Sequence, residues 1–360
     1  MNHIFVGIDL ADKTGVVRIA VNREEGVRKT FGNSRAGRQK FFKELRRQAE
    51  QVGAEVVMAY EASSQGFVLR DEAESEGMRC YVLAPTLMEK SRKHERNKDD
   101  KQDADWILEK LRGHVLAGNR LPAVWVPSRE QRDDREVVRG RLDVMEKQTT
   151  VQRQIQTLLK RYGIEKPEGI GQGWTKRFVG WLKALTEEGQ LGWGAQQSLQ
   201  SLLRQYEFLM QEVEQMDRNV EVLSEQPRHQ AIVTALKKEK GIGTLTAIAF
   251  RTELGYLGRF RRGRQVGAFA GLAPSRNETG EREDCKGHIT HQGPPRLRQL
   301  MCQATWSRIG TDADERERYM AIVRRNPKKK KIALVASMRR LTVRLWHIGR
   351  IAEIEMQKVN

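Results

Sequence analysis

Cysteine is scarce in this chain of 360 residues, in which Cys80, Cys285 and Cys302 are the three present. They are odd in number, lie far apart and form no CxxC pair, which argues against a disulfide framework or a zinc site. Long apolar runs are missing too, since no segment approaches the roughly 20 apolar residues that span a bilayer. The first residues contain neither the basic nor the long apolar segment of a signal peptide. We therefore expect a cytoplasmic protein with no membrane partner.

Acidic residues are too few to balance the basic ones. Lys and Arg number 65 against 47 Asp and Glu, so the formal net charge is +18 and the isoelectric point is near 10.0. Such a surplus indicates a polyanionic partner, and a mean hydropathy of −0.66 favours nucleic acid over a membrane surface. The densest basic segments are RFRRGR at 259–264 and RRNPKKKK at 324–331. The candidate nucleic-acid ligands in them are Arg259, Arg261, Arg262, Arg264, Lys328, Lys329, Lys330 and Lys331.

The amino-terminal part has the pattern of an α/β domain. Short apolar segments predict strands at 3–9, 15–21, about 27–32, 56–60 and 79–84, and helical spacing predicts helices at 35–52, 67–77 and 103–115. The order is therefore βββαβαβα, with an acidic residue at the end of the first strand. A ribonuclease-H-like (RuvC-like) domain requires that order, and we predict one over residues 1–125.

The middle part, residues 126–231, is predicted to be a coiled-coil region. Apolar residues follow a 3-4 spacing typical of a heptad seam, at Leu199, Leu202, Tyr206, Leu209, Val213, Met216, Val220 and Leu223. A second helix is predicted at 129–162, and the two helices could form an antiparallel hairpin or pair with another protomer. We expect the seam to mediate self-association. The segment 163–194, rich in glycine and containing Trp174, Trp181 and Trp193, indicates a compact insertion.

Residues 232–360 are predicted to form a third, mostly helical domain. It begins with Gly241-Ile242-Gly243 before an apolar helix, which resembles a helix-hairpin-helix. Gly241 and Gly243 would let the backbone approach closely, and N–H groups of the next helix would donate to a phosphate oxygen. An ordinary tight turn between packed helices is an equally good interpretation, and the nearby RFRRGR segment favours phosphate binding.

Four acidic residues are predicted to form a metal site. Asp9 and Glu61 end two strands that are neighbours in a ribonuclease-H-like sheet, and Asp100 and Asp103 lie three apart at the start of a helix, so they share a face. Four crowded carboxylates would repel one another unless a hard divalent ion, Mg²⁺ or Mn²⁺, neutralised them. Such a site suits phosphodiester chemistry. A single acid is more often a solvated surface charge or a helix cap, and the conjunction of four favours the site.

The segment from Ala270 to Trp306 is a small, polar, glycine-rich loop between two predicted helices. It offers hydroxyl groups at Ser275, Thr279 and Thr290, and its neighbouring cations are Arg276, Arg282 and Lys286. A hydroxyl beside cations could attack a phosphodiester. On composition alone, a surface loop whose Ser and Thr residues form turn hydrogen bonds is the better interpretation.

Together these stretches resemble the DEDD transposases of the insertion-sequence 110/1111 type, recombinases directed by a structured non-coding RNA from their own element. VGIDLADKT resembles the Asp motif of that family, AYEASSQGF its Glu motif and NKDDKQDADWIL its K-x-D-x-x-D-A motif. KGIGTLTA and the long stretch from QVGAFAGLAPSRNETG to HITHQGPPRLRQL resemble its C-terminal signature. The stretches occur in the family's order at both ends of the chain.

The resemblance implies that Asp9, Glu61, Asp100 and Asp103 bind the metal and that a hydroxyl in the C-terminal loop is the nucleophile. Family members usually have Ser followed by Gly there, whereas this chain has Thr279 before Gly280. Threonine carries the same hydroxyl with an added methyl group, so attack is more crowded, and Ser275 is the second candidate.

The implied function is DNA recombination on donor and target DNA, with a guide RNA and a dimer or tetramer of the chain. Two alternatives stay open at this point. One is a RuvC-like nuclease that uses water as its nucleophile, and the other is a non-catalytic nucleic-acid-binding protein that keeps the fold.

Overall fold

The computed structural model describes residues 2–85, 100–171, 173–187, 190–276, 286–290, 292–325 and 327–359. The chain divides into two compact units, Met1–Val126 and Pro127–Asn360. The first is a mixed α/β unit and the second is mostly helical. Within the described ranges, no helix is both long and apolar enough to cross a membrane.

The first unit contains five strands, β1 (Asn2–Leu10), β2 (Thr14–Val21), β3 (Val27–Gly32), β4 (Ala54–Glu61) and β5 (Arg79–Leu83). They form one sheet in the order β3-β2-β1-β4-β5. Neighbours β1, β2 and β3 are antiparallel, whereas β4 is parallel to β1 and β5 is parallel to β4. The carboxyl ends of β1, β4 and β5 therefore lie at the same edge of the sheet. The five predicted strands and the predicted pairing of β1 with β4 are thus confirmed.

Helices cover both faces of this sheet. On one face α1 (Arg35–Val52) and α2 (Val68–Ser75) pack against the side chains of Ile4, Val6 and Ile8. On the other face α3 (Asp100–Ala117) packs against Phe5 of β1 and Val57 of β4. Because β1 and β4 are covered on both sides, they read as continuous apolar runs in the sequence.

The second unit begins with two long helices, α4 (Arg129–Arg161) and α6 (Trp193–Ser224), which form an antiparallel hairpin. The start of α4 packs with the end of α6, and the end of α4 packs with the start of α6. The segment between them contains α5 (Lys176–Leu185), whose apolar side pairs with the same two helices. The predicted helix at 129–162 is therefore confirmed.

The apolar seam of α6 is occupied by α4 of the same chain. Of the two arrangements that the sequence left open, the structure has the hairpin, so the seam is not a free surface for the self-association we expected of it. Near the hairpin tip the seam positions Leu199 and Tyr206 are buried, and Leu203, which lies outside the seam, is buried as well. The reason is that α5 covers a second side of α6 there and widens the buried stripe. Trp174 and Trp181 are half-buried in this cluster, whereas Trp193 is 79% exposed.

The C-terminal helices pack around a core that includes Phe250 and Trp346. The indole N–H of Trp346 donates to the carbonyl of Leu257 at 3.0 Å. Val138 of α4 and Val220 of α6 belong to the same core, so the base of the hairpin and the C-terminal helices are packed as one body. The domain boundary predicted near residue 231 therefore falls inside the second unit. Its helices are α7 (Pro227–Lys237), α8 (Thr244–Leu254), α9 (Gly263–Phe269), α10 (Pro295–Thr311), α11 (Ala313–Arg325) and α12 (Lys330–Val359), with strands β6 (Pro274–Arg276) and β7 (Lys286–Ile289).

Candidate carboxylate site and nucleic-acid interface

Asp9 and Glu61 lie near the carboxyl ends of the neighbouring parallel strands β1 and β4. The register pairs Gly7 with Ala59 and Ile8 with Tyr60, and Asp9 and Glu61 are the next residues along the two strands. Both acids are half-buried. Because side chains alternate between the two faces of a strand, Asp9 shares the face of Phe5 and Glu61 shares the face of Val57. That is the face covered by α3.

Helix α3 crosses β1 at Gly7. A Cβ atom added to Gly7 would lie 2.3 Å from the carbonyl oxygen of Ala104 and 2.6 Å from the backbone nitrogen of Leu108. Only glycine permits so close an approach of the two backbones. The contact places Ala104 of α3 against Gly7, which is two residues before Asp9 in β1, and Asp103 is the residue before Ala104. Asp103 is half-buried.

Two other acidic residues near the start of α3, Asp100 and Asp105, have different surroundings. Asp100 is the first residue of α3, three positions before Asp103, so it shares the helix face of Asp103, while its side chain lies outside the described structure. Asp105 has a different role. Its carboxylate pairs with Arg28 and lies 3.4 Å from the Nε of Arg18, so it binds α3 to β2 and β3.

The carboxylate set fits a hard divalent ion by its chemistry, since all its donors are oxygens and no sulfur or imidazole intervenes. In the described part of the chain, no three His, Cys, Asp or Glu side chains come together in the arrangement of a metal site. The register therefore makes the strand ends that carry Asp9 and Glu61 neighbours, and the metal site itself stays a prediction.

The glycine in β1 makes the geometry testable. We expect Gly7→Ala to cost about 1–3 kcal/mol of the free energy of unfolding, because the methyl group meets backbone atoms that can move only if α3 shifts as a whole. Gly32→Ala is the matched control, since a Cβ atom there meets nothing within 4 Å and the change should stay within about 0.5 kcal/mol. Urea unfolding of both variants measures the difference, and equal midpoints would contradict the close contact.

In the second unit, the Gly241-Ile242-Gly243 turn connects α7 to α8. Gly241 has φ of +83°, in the left-handed region, and a Cβ atom there would lie 2.7 Å from the carbonyl oxygen of Ala304. Glu239 fixes the turn, accepting hydrogen bonds from Arg308 at 2.6 Å and from Arg344 at 2.7 Å. Gly243 is exposed and is the N-cap of α8 with no side-chain cap. The contacts of Gly241 therefore support its interpretation as a packed turn, and phosphate binding at Gly243 stays a prediction.

Arg259 differs from the other predicted nucleic-acid ligands. Its guanidinium carbon lies 4.1 Å from the ring centroid of Phe260 and 4.8 Å from that of Phe269, and its Nε donates to the carbonyl of Leu254 at 3.0 Å. Burial, and secondarily the charge of Arg135, lower the pKa of Arg259 to about 10. Arg259 thus stabilises the turn after α8. The other predicted ligands in the two basic segments are exposed, namely Arg261, Arg262, Arg264, Lys328, Lys329, Lys330 and Lys331.

The predicted nucleophile loop begins and ends in a two-stranded hairpin. Strands β6 and β7 pair Pro274 with Ile289 and Arg276 with Lys286. Thr279 and Arg282 lie in 277–285, outside the described residues, and so does Cys285. The side chains of Ser275, Arg276 and Lys286 are likewise outside what the structure describes.

Arg298 holds the base of this hairpin, and the sequence interpretation did not single it out. Its Nη1 donates to the carbonyl of Gly293 at 3.0 Å and to that of Ala270 at 3.4 Å, which are the segments entering and leaving the hairpin. Burial lowers the pKa of Arg298. Gly7 was missed as well, and the signal that could have identified it is a lone glycine inside a buried strand.

Cys80 and Cys302 are free thiols within the two packed units. Burial raises the pKa of both, so at neutral pH each stays protonated and is a poor nucleophile. They take no part in the candidate site.

Two family models match the chain. Residues 6–164 match a DEDD transposase domain of the IS110 type, described as "Transposase". Residues 233–320 match the model described as "Transposase IS116/IS110/IS902 family". Together they include the ends of β1 and β4, helix α3, and the glycine turn with the β6–β7 hairpin.

Individual relatives are also named as transposases. The protein y4qE of Sinorhizobium fredii, named as a transposase, is 29% identical over 309 residues, which are 84% of this chain and 71% of that protein. A Pseudomonas aeruginosa protein named as a family 20 transposase is 25% identical over 91% of each chain. The transposase of insertion sequence element IS1111A from Coxiella burnetii is 27% identical over 57% of this chain and 53% of its own.

The fold and the matched domains define a DEDD-type transposase, an enzyme of DNA recombination. This chain belongs to the IS110/IS116 family of transposases. Transposases act on DNA, which accounts for the basic surplus of the sequence.

Proposed function

We propose that this transposase cuts and rejoins DNA with four carboxylates in a ribonuclease-H-like unit and a hydroxyl nucleophile in the C-terminal loop. The observation that supports it best is the register of β1 and β4 together with the contact of α3 at Gly7. In that arrangement the strands that end near Asp9 and Glu61 are neighbours, and α3, which carries Asp103, packs against β1; the DEDD family model matches the same segments.

Asp9, Glu61, Asp100 and Asp103 are the residues that would hold Mg²⁺ or Mn²⁺. When bound, such an ion polarises a phosphate oxygen and favours loss of the proton from an attacking hydroxyl. The carboxylates themselves orient the ion and give the site enough negative charge to hold it. The metal dependence belongs to DEDD-type domains in general, and the choice of ion is part of the proposal.

The nucleophile in the proposal is Thr279. Its Oγ1 attacks a backbone phosphorus, the proton of the hydroxyl leaves to a base, and the bond from phosphorus to the 3′ oxygen breaks as that oxygen takes up a proton. The products are a 5′-phosphothreonine linkage and a free 3′ hydroxyl. Strand exchange follows when a 3′ hydroxyl from the other DNA attacks the phosphothreonine, forms the new phosphodiester and returns the proton to Thr279.

The partners in the proposal are donor and target DNA, a structured non-coding guide RNA, and further copies of the chain in a dimer or tetramer. The exposed cations Arg261, Arg262 and Arg264 and the lysines 328–331 would contact phosphates. Gly243 at the start of α8 would offer its neighbouring N–H groups to a phosphate oxygen.

An exchange assay with purified components tests this function. The chain is incubated with two marked DNA fragments, with a divalent ion and with RNA transcribed from the non-coding segment beside its gene. We expect recombinant DNA only when all are present, because the RNA selects the sites and the carboxylates need the ion. Recombination at the same sites without RNA would contradict the guided part of the proposal, and plain double-strand cleavage would favour the water-driven nuclease.

A further inference from the structure

A polar groove runs along the outer half of the α4–α6 hairpin. It is a shallow surface groove of about 770 Å³ that is widely open to solvent. Helix α4 contributes Arg153, Thr157 and Arg161, and helix α6 contributes Gln197, Ser198 and Gln205. All six side chains are exposed. No acidic side chain lines this groove, whose lining lies wholly in the described part of the chain.

The charge of the hairpin changes sign along its length. From Lys147 to Ile164 the chain has four basic residues and no Asp or Glu, and from Trp193 to Tyr206 it has Arg204 and no acid. Beyond Tyr206, α6 becomes acidic, with Glu207, Glu212, Glu214, Asp217 and Glu221 against Arg218. The outer half of the hairpin is therefore basic and the half near its base is acidic. The groove lies on the basic half.

The neighbouring groove toward the base of the hairpin shows where the basic surface ends. Asp143 and Glu146 line it together with Lys147, and Phe208 lies at its margin. A polyanion that occupied the outer groove would meet carboxylates there. A polyanion bound in the outer groove would therefore be confined to the outer half of the hairpin.

We propose that the outer groove binds the sugar-phosphate backbone of RNA, which rests on the guide RNA of the proposed function. Arg153 and Arg161 supply the positive charge that phosphates need. Thr157, Ser198 and the glutamines both donate and accept hydrogen bonds, as does the 2′-hydroxyl group that distinguishes RNA from DNA. Binding of phosphates alone would require cations, but it would not require the hydroxyl groups of Thr157 and Ser198 or the amide groups of the glutamines.

Binding measurements on the full chain test this assignment. The probes are an RNA hairpin with a stem of about 16 base pairs and a DNA hairpin of the same sequence. The groove variant is Arg153→Glu with Arg161→Glu. Its matched control is Arg204→Glu with Arg218→Glu, which reverses the same amount of charge on exposed residues of α6 outside the groove. Circular dichroism and thermal unfolding establish that all variants are folded.

We expect the groove variant to bind the RNA hairpin at least about tenfold more weakly, with a salt dependence of log K reduced by about 2, since two phosphate contacts are lost. The control should keep most of the RNA affinity and the wild-type salt dependence. A second variant, Thr157→Val with Ser198→Ala, should reduce the preference for RNA over DNA without changing the salt dependence.

Three results would overturn the groove assignment: wild-type RNA affinity in the groove variant, an equal loss in the control, or equal losses on RNA and DNA. These outcomes are separate from failure of the proposed function. A wild-type chain that binds the DNA hairpin but no RNA would overturn the guide RNA and the groove together, whereas RNA binding that survives the groove variant overturns the groove alone.

Discussion

Asp9→Asn should abolish strand exchange while the chain stays folded. The substitution keeps the shape of the side chain and removes one of the charges that would hold the divalent ion. Loss of that interaction removes several kcal/mol of transition-state stabilisation, about a thousandfold in rate. The fold should survive because removing one of several mutually repelling acids need not destabilise it. A recombination assay, with circular dichroism on the same preparation, measures both effects.

The chain supplies a matched control for this experiment on α3. Asp105→Asn removes a carboxylate from the same helix, but that carboxylate pairs with Arg18 and Arg28 and not with the proposed metal site. It should lose at most about 1 kcal/mol of stability and keep its exchange activity. Glu61→Gln and Asp103→Asn should behave like Asp9→Asn. Full recombination by the Asp9→Asn protein would refute the carboxylate site.

Thr279→Ala should eliminate the covalent protein–DNA species, because the alanine side chain has no oxygen to attack the phosphate. Thr279→Ser should retain or increase that species, since serine offers the same hydroxyl with less crowding. Denaturing gels of reactions on labelled DNA measure the fraction of DNA attached to protein.

Ser275→Ala is the control for that loop. It removes the second candidate hydroxyl and should change little. Covalent capture of DNA by the Thr279→Ala protein would refute the assignment and transfer the role to Ser275.

The sequence predicted the carboxylate site from local patterns. Continuous apolar runs at Ile4–Ile8 and Val56–Tyr60 indicate strands buried on both faces, and such strands end where a polar residue first follows. Asp9 and Glu61 stand at those ends. Because the order of elements allows few sheet topologies, it was enough to predict that β1 and β4 are neighbours, and the structure confirms that pairing.

Features that depend on contacts between distant residues could not be predicted in this way. The heptad spacing of α6 predicted a helical partner, but a seam has the same pattern whether that partner comes from the same chain or another one. The role of Arg259 was hidden for a similar reason. Its position in RFRRGR resembles that of its exposed neighbours, and only the folded chain brings the rings of Phe260 and Phe269 beside its guanidinium.

Gly7 and Arg298 illustrate how much of the site depends on backbone geometry. A glycine in a strand is a weak signal until the helix that approaches it is known, and Arg298 acts through carbonyl groups that every residue possesses. Sequence patterns report side-chain chemistry more directly than they report backbone contacts. The acidic and hydroxyl residues that we assign to the reaction were therefore easier to predict than Gly7 and Arg298, which position the backbone.

The measurement that tests the proposed mechanism most directly is the identity of the DNA ends after cleavage. Wild-type protein is incubated with a labelled DNA substrate, the reaction is stopped in denaturant, and the DNA-linked peptide is sequenced by mass spectrometry. We predict a free 3′ hydroxyl on one side of the cut and, on the other, a 5′ phosphate joined to the peptide that contains Thr279. Cleaved DNA with a free 5′ phosphate and no attached peptide would contradict the account, because water and not a side chain would then be the nucleophile.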